Sequence, residues 1–135
     1  MKDENIKEIK WVGSSQGDLR DLPEEVRATF GYALYEAQMG GKSRHAYPML
    51  GFGSASVLEI VEDDDHNGTY RAVYTVKFKE CIYVLHVFQK KSKKGITTPK
   101  HVMDLVKARL KDAEDDYAYH LSKNKNRRIG QDKKK

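Results

Sequence analysis

The residues of this sequence best suited to acid-base and phosphate chemistry are an arginine inside an apolar run, a histidine in the next such run, and the lysines that follow it. Arg71 stands among Tyr70, Ala72, Val73 and Tyr74, and strand alternation sends its side chain to the face opposite Tyr70 and Ala72. A guanidinium in mid-sheet must be paired or used, because partial burial without a partner is costly. A salt bridge, for instance to Glu59, and contact with a phosphate are the two uses open to it. His86 is the only histidine in a strand-like run, and its ordinary pKa lies near neutrality, as a general base or acid requires. Its parity groups it with Val84 and Phe88, so a packed, satisfied histidine stands beside the catalytic reading.

Lys90, Lys91, Lys93 and Lys94 emerge where that run ends, just before Thr98-Pro99 and Lys100. Thr98 at an N-cap with proline in the first helical position would open a helix whose dipole favours anions. Four lysines in five residues repel one another unless an anion is present, so phosphate binding is expected, against the alternative of a solvated turn. Tyr70, Tyr74 and Tyr83 offer rings that could stack on bases or pack the sheet. Tyr32, Tyr35 and Tyr47 receive no role. His45, His66, His101 and His120 show no ligand spacing, so neither a metal nor a cofactor is expected.

The charge distribution supports a polyanionic partner. Residues 1–88 hold 10 Lys/Arg against 14 Asp/Glu, a net of −4, whereas residues 89–135 hold 15 against 6, a net of +9. Such asymmetry suits nucleic acid, and it equally suits a solvated helix with a basic tail. With 135 residues the chain has the length of one domain. The single cysteine, Cys81, builds neither a disulfide framework nor a Cys-ligated zinc site, which fits a reducing compartment. No run reaches the ~20 apolar residues of a membrane span, and no signal-peptide pattern follows the charged N-terminus. A cytoplasmic protein without a membrane partner is expected.

The elements that must position these residues are legible as periods. Residues 5–12 suit a first strand with Ile9 and Trp11 on one face. Leu19, Leu22, Val26, Phe30, Ala33, Leu34 and Ala37 form a helical stripe ending at Gly40-Gly41, and Pro23 divides it into a helical hairpin. Asp21 and Glu24 resemble a capping box. The segment 40–56, with its glycines, serines and Pro48, reads as a loop. Residues 56–62, 69–78 and 81–89 read as an antiparallel meander, and Val102, Leu105, Val106, Leu110 and Ala113 as the stripe of a last helix reaching about Leu121. The expectation is an α+β domain over residues 1–121, with residues 122–135 a disordered basic tail.

This order and the local text resemble the RelE/HigB superfamily of toxins, in particular its phage-derived HigB-like branch. The residues that carry the resemblance are Tyr70-Arg71-Ala72-Val73-Tyr74, then Leu85-His86-Val87-Phe88-Gln89-Lys90-Lys91, then Thr98-Pro99-Lys100. Val61 and Glu62 stand where many relatives place Lys or Arg, and Gly95-Ile96-Thr97 lengthens the basic segment. The resemblance implies a RelE-like fold: an antiparallel sheet of one N-terminal strand plus the meander, a helical hairpin and a C-terminal helix. It implies a metal-independent endoribonuclease cutting messenger RNA, free or in the ribosomal A site, as the toxin of a type II toxin-antitoxin pair with a HigA-like helix-turn-helix antitoxin. Arg71, Lys90, Lys91 and His86 would then be catalytic, and Lys93, Lys94, Lys100 and Tyr74 RNA-binding. The same fold hosts ParE-like toxins that bind DNA gyrase, and an inactive prophage-derived relative is the third expectation.

Overall fold

The computed structural model describes residues 6–64, 68–90 and 98–133. In chain order these form β1 (Glu8–Trp11), α1 (Ser15–Arg20), α2 (Glu24–Gln38), β2 (Ala46–Pro48), β3 (Val57–Asp64), β4 (Gly68–Thr75), β5 (Cys81–Lys90) and α3 (Lys100–Lys133). The strands make one α+β sheet in the order β1-β5-β4-β3-β2.

The meander is antiparallel as expected, and two features differ from the sequence reading. β1 pairs with β5 in parallel, Ile9 opposite Ile82 and Trp11 opposite Val84, so the sheet is mixed. The glycine-rich segment read as loop contributes β2, which pairs antiparallel with β3. With three residues and a proline, β2 is too short for a periodic signal, and Pro is tolerated because it lies on an edge.

Two helices cover opposite faces. Val26, Phe30, Ala33, Leu34 and Ala37 of α2 pack on Ile60, Ala72, Tyr74, Ile82, Val84 and Val87. Val102, Val106 and Ala113 of α3 pack on Val57, Val73, Tyr83 and Leu85 of the other face. Full burial of such side chains stabilises by roughly 1.5–3 kcal/mol each, which is why both stripes were readable as periods. Polar contacts fix the lie of α3: the Tyr83 hydroxyl donates to Asp116 at 2.6 Å, Lys10 pairs with Asp116 at 3.4 Å, and Lys77 pairs with Glu114.

Two helix starts differ from the reading of the sequence, and the last helix runs further. Asp21 closes α1 instead of capping α2, whose N-cap is Pro23 without a side-chain cap bond, so the capping box does not form. The Pro99 carbonyl accepts from the amides of Val102 and Met103, one residue later than a Thr98 cap would have it. α3 continues as helix through Lys133, where a disordered tail was expected. Residues 118–124 are all exposed, and Tyr117 before them sits against Phe78.

Candidate functional site

β3 and β4 carry the charged centre. Their register sets Val61 opposite Arg71 and Glu59 opposite Val73, and alternation puts Glu59 and Arg71 on the face that α3 covers. Here α3 has only begun, so among the described residues this end of the face is open. The Arg71 Nη1 donates to Glu59 Oε2 at 3.0 Å and its Nε to Thr69 Oγ1 at 3.1 Å. The two charged side chains retain 16% and 12% exposure, enough to reach a ligand and too little for water to screen the pair fully. Among the described residues those bonds commit two of the five guanidinium donors, and the others can receive a phosphate oxygen.

A groove of about 480 Å³ opens over the pair, lined by Glu59, Arg71, Thr98 and Met103 and by the β2 segment with the loop that follows it. Lys90, at the end of β5, belongs to the same centre. Burial and then the neighbouring Arg71 push its ammonium pKa down, while Glu59 opposes the shift. Two cations therefore stand around one carboxylate.

His86 lies in a different arrangement. Opposite Val73 and Tyr74 the β5 partners are His86 and Val84, so Leu85 is the extra residue of a β-bulge. The bulge breaks the parity read from the sequence. Val84 stays on the α2 face, whereas His86 joins Phe88 on the α3 face, the rings stacked at 4.8 Å. The Arg109 Nη1 meets His86 Nδ1 at 3.3 Å and donates to the Leu85 carbonyl at 2.9 Å. Arginine keeps its protons, so Nδ1 is the acceptor and the ring proton belongs on Nε2. Burial, followed by the Arg109 charge, lowers the His86 pKa. A neutral imidazole with its lone pair engaged is a poor base and a poor acid, which favours the packing reading.

Tyr74 faces the other way. It is wholly buried against α2, across the sheet from Arg71, and its ring is closed to a base. Burial and then Glu36 push its hydroxyl up to about 12. Lys100 is fully solvated at the start of α3 and pairs with Asp104 at 3.0 Å. Lys91, Lys93 and Lys94 lie outside the described residues. Reading the sequence foresaw the Glu59–Arg71 salt bridge and missed Arg109. Glu59 entered only as a salt-bridge partner, although its alternation with Leu58 and Ile60 was visible. Arg109 gave no signal, since an arginine on a helix is usually a solvated one. Among the described residues no group of three His, Cys, Asp or Glu side chains could hold a metal ion, and no helix is long and apolar enough to cross a membrane.

The model of one family, described as phage derived protein Gp49-like (DUF891), matches residues 17–111, more than half of the chain. No curated protein matches. The matched span runs from α1 into α3 and includes Glu59, Arg71, His86 and Lys90 together with Arg109. With both centres inside the matched span, the chain belongs to the phage-derived Gp49-like family, a family of RelE-like toxins.

Proposed function

We propose that this protein is the toxin of a type II toxin-antitoxin pair of the HigB branch, an endoribonuclease that cleaves messenger RNA in the cytoplasm. The observation that carries the reading is the half-buried Arg71–Glu59 pair lining a groove, with Lys90 at the end of β5 beside it. A surface ion pair adds little to stability, and one buried this deeply repays its desolvation poorly. Its retention in a groove is what a reaction at phosphate needs.

The reaction is attack of a ribose 2′-hydroxyl on the adjacent phosphate, which forms a cyclic phosphate and breaks the bond to the 5′-oxygen. Arg71 stabilises the charge that builds on the pentavalent phosphorus, the largest single contribution open to such a site. The Glu59 carboxylate accepts the 2′-hydroxyl proton. Lys90, whose ammonium pKa is lowered by burial and by Arg71, gives a proton to the leaving oxygen. Lys91, Lys93, Lys94 and Lys100 hold the RNA backbone. The partner is a helix-turn-helix antitoxin, and the substrate is messenger RNA free or in the ribosomal A site.

Induction without antitoxin should stop growth while primer extension shows new 5′ ends on abundant transcripts. Intact transcripts with relaxed or broken chromosomal DNA would overturn the reading in favour of gyrase binding.

A further inference from the structure

The groove over Arg71 has a second half that the proposed chemistry leaves unused. Its rim is Tyr47 on β2 and Leu50 in the next loop, 55% and 82% exposed. Register sets Tyr47 directly opposite Glu59, so ring and carboxylate stand side by side on one face. Met103 of α3 lines the groove with them. The loop carrying Leu50 is held against α3: Gly51 has a φ of +100°, and a Cβ there would lie 2.7 Å from the Met103 methyl. The positive φ favours glycine here, and the Met103 methyl, the far end of a flexible side chain, is the nearest atom to it.

An exposed leucine and tyrosine beside a half-buried ion pair form a cavity with one apolar wall and one charged wall. That combination suits a ligand with a flat ring and an anionic group a few ångströms away. Among single-strand RNA readers, an aromatic face for the base and cations for the backbone supply both. Arg71, which lines the groove, gives the charged wall a guanidinium suited to a phosphate oxygen.

We propose that this groove seats one unpaired nucleobase of the RNA, stacked on Tyr47 and walled by Leu50 and Met103, with the adjoining phosphate at Arg71. The inference rests on the nuclease reading and adds to it the residues that set which nucleotide is held for cleavage. Stacking on a tyrosine tolerates every base, so Leu50 and Met103, which bound the cavity, determine how large a base enters. The site thus distinguishes purine from pyrimidine by size more readily than it reads a hydrogen-bond pattern.

The test is cleavage of a mixed set of transcripts in a cell-free translation system, which offers both free and ribosome-bound RNA, with 5′ ends mapped and rates measured at limiting protein. Tyr47→Ala should slow cleavage about 10-fold, the loss of one stacked base, and Tyr47→Phe should restore it. Leu50→Ala should shift the base preference at the cut sites while the protein keeps its melting temperature. Tyr35→Ala, an equally exposed tyrosine on the opposite side of the sheet, should change nothing. If Tyr47→Ala cuts at the wild-type rate with the wild-type pattern, this inference falls and the nuclease reading stands. If the wild-type protein makes no cuts, the nuclease reading falls and the nucleobase site with it.

Discussion

Two arginines stand on the same face of the sheet, and their surroundings differ in almost every respect. Arg109 reaches from α3 to the Leu85 carbonyl, His86 Nδ1 and the Ser14 hydroxyl, and its guanidinium lies where a Cβ on Gly13 would be 2.7 Å away. Ser14 in turn donates to Asp18 at 2.7 Å, so the arginine pins α1, β5 and α3 together. Arg71 holds one carboxylate and one hydroxyl and opens onto a groove. One centre is closed by the fold, and the other opens onto a groove among the described residues. Residue type alone could not have separated them, because the difference lies in how much of each guanidinium the protein itself consumes.

That contrast can be broken most forcefully at the closed centre. Arg109→Ala removes hydrogen bonds from a charged donor at a junction of three elements and should cost about 2–3 kcal/mol in urea unfolding. The folded fraction should still cleave RNA near the wild-type rate, and a selective loss of cleavage would place Arg109 in the reaction. Gly13→Ala should cost about 1–2 kcal/mol, since the residue has a φ of +58° and its new methyl would press on the pinned guanidinium.

His86 belongs to the closed centre, and pH sharpens the assignment. Its folded pKa is lowered from 6.5, so the native state keeps it neutral while the unfolded chain takes up a proton as the pH falls. This group's contribution is present above pH 6.5 and is lost as the pH drops through the folded value, with a slope of at most ~1.4 kcal/mol per pH unit. Thermal melts of His86→Gln across acid pH should show a shallower decline than the wild type. An unchanged slope would mean that burial and the Arg109 charge do not hold the ring neutral.

The smallest effect on stability is expected at the open centre. Replacing the whole pair, Glu59→Leu with Arg71→Met, should leave the unfolding free energy within about 1 kcal/mol of the wild type, because both desolvation penalties disappear along with the attraction. Cleavage should vanish. A loss of several kcal/mol would show that the pair is structural.

The sequence made the open centre legible and left the closed one hidden. Arg71 stood out because a charge interrupted an apolar, alternating run, and Glu59 did the same one strand earlier. Alternation also separates Tyr74 from Arg71, so its place in the core was readable from the argument that singled out Tyr70 and Ala72. His86 could not be placed in that way, because the bulge at Leu85 shifts parity by one and leaves no mark in composition. β2 is too short to show a period. The parallel docking of β1 depends on a partner more than 70 residues away, which no local pattern encodes. Helix stripes survived the comparison best, since they record burial directly.

The most direct test of the central claim is single-turnover cleavage by Arg71→Ala, measured together with RNA affinity and melting temperature. If Arg71 stabilises the transition state, the rate should fall by roughly 10² or more while affinity and melting temperature change far less. Cleavage at the wild-type rate, or a loss that follows unfolding alone, would contradict the assignment and leave the Arg71–Glu59 pair as a structural salt bridge.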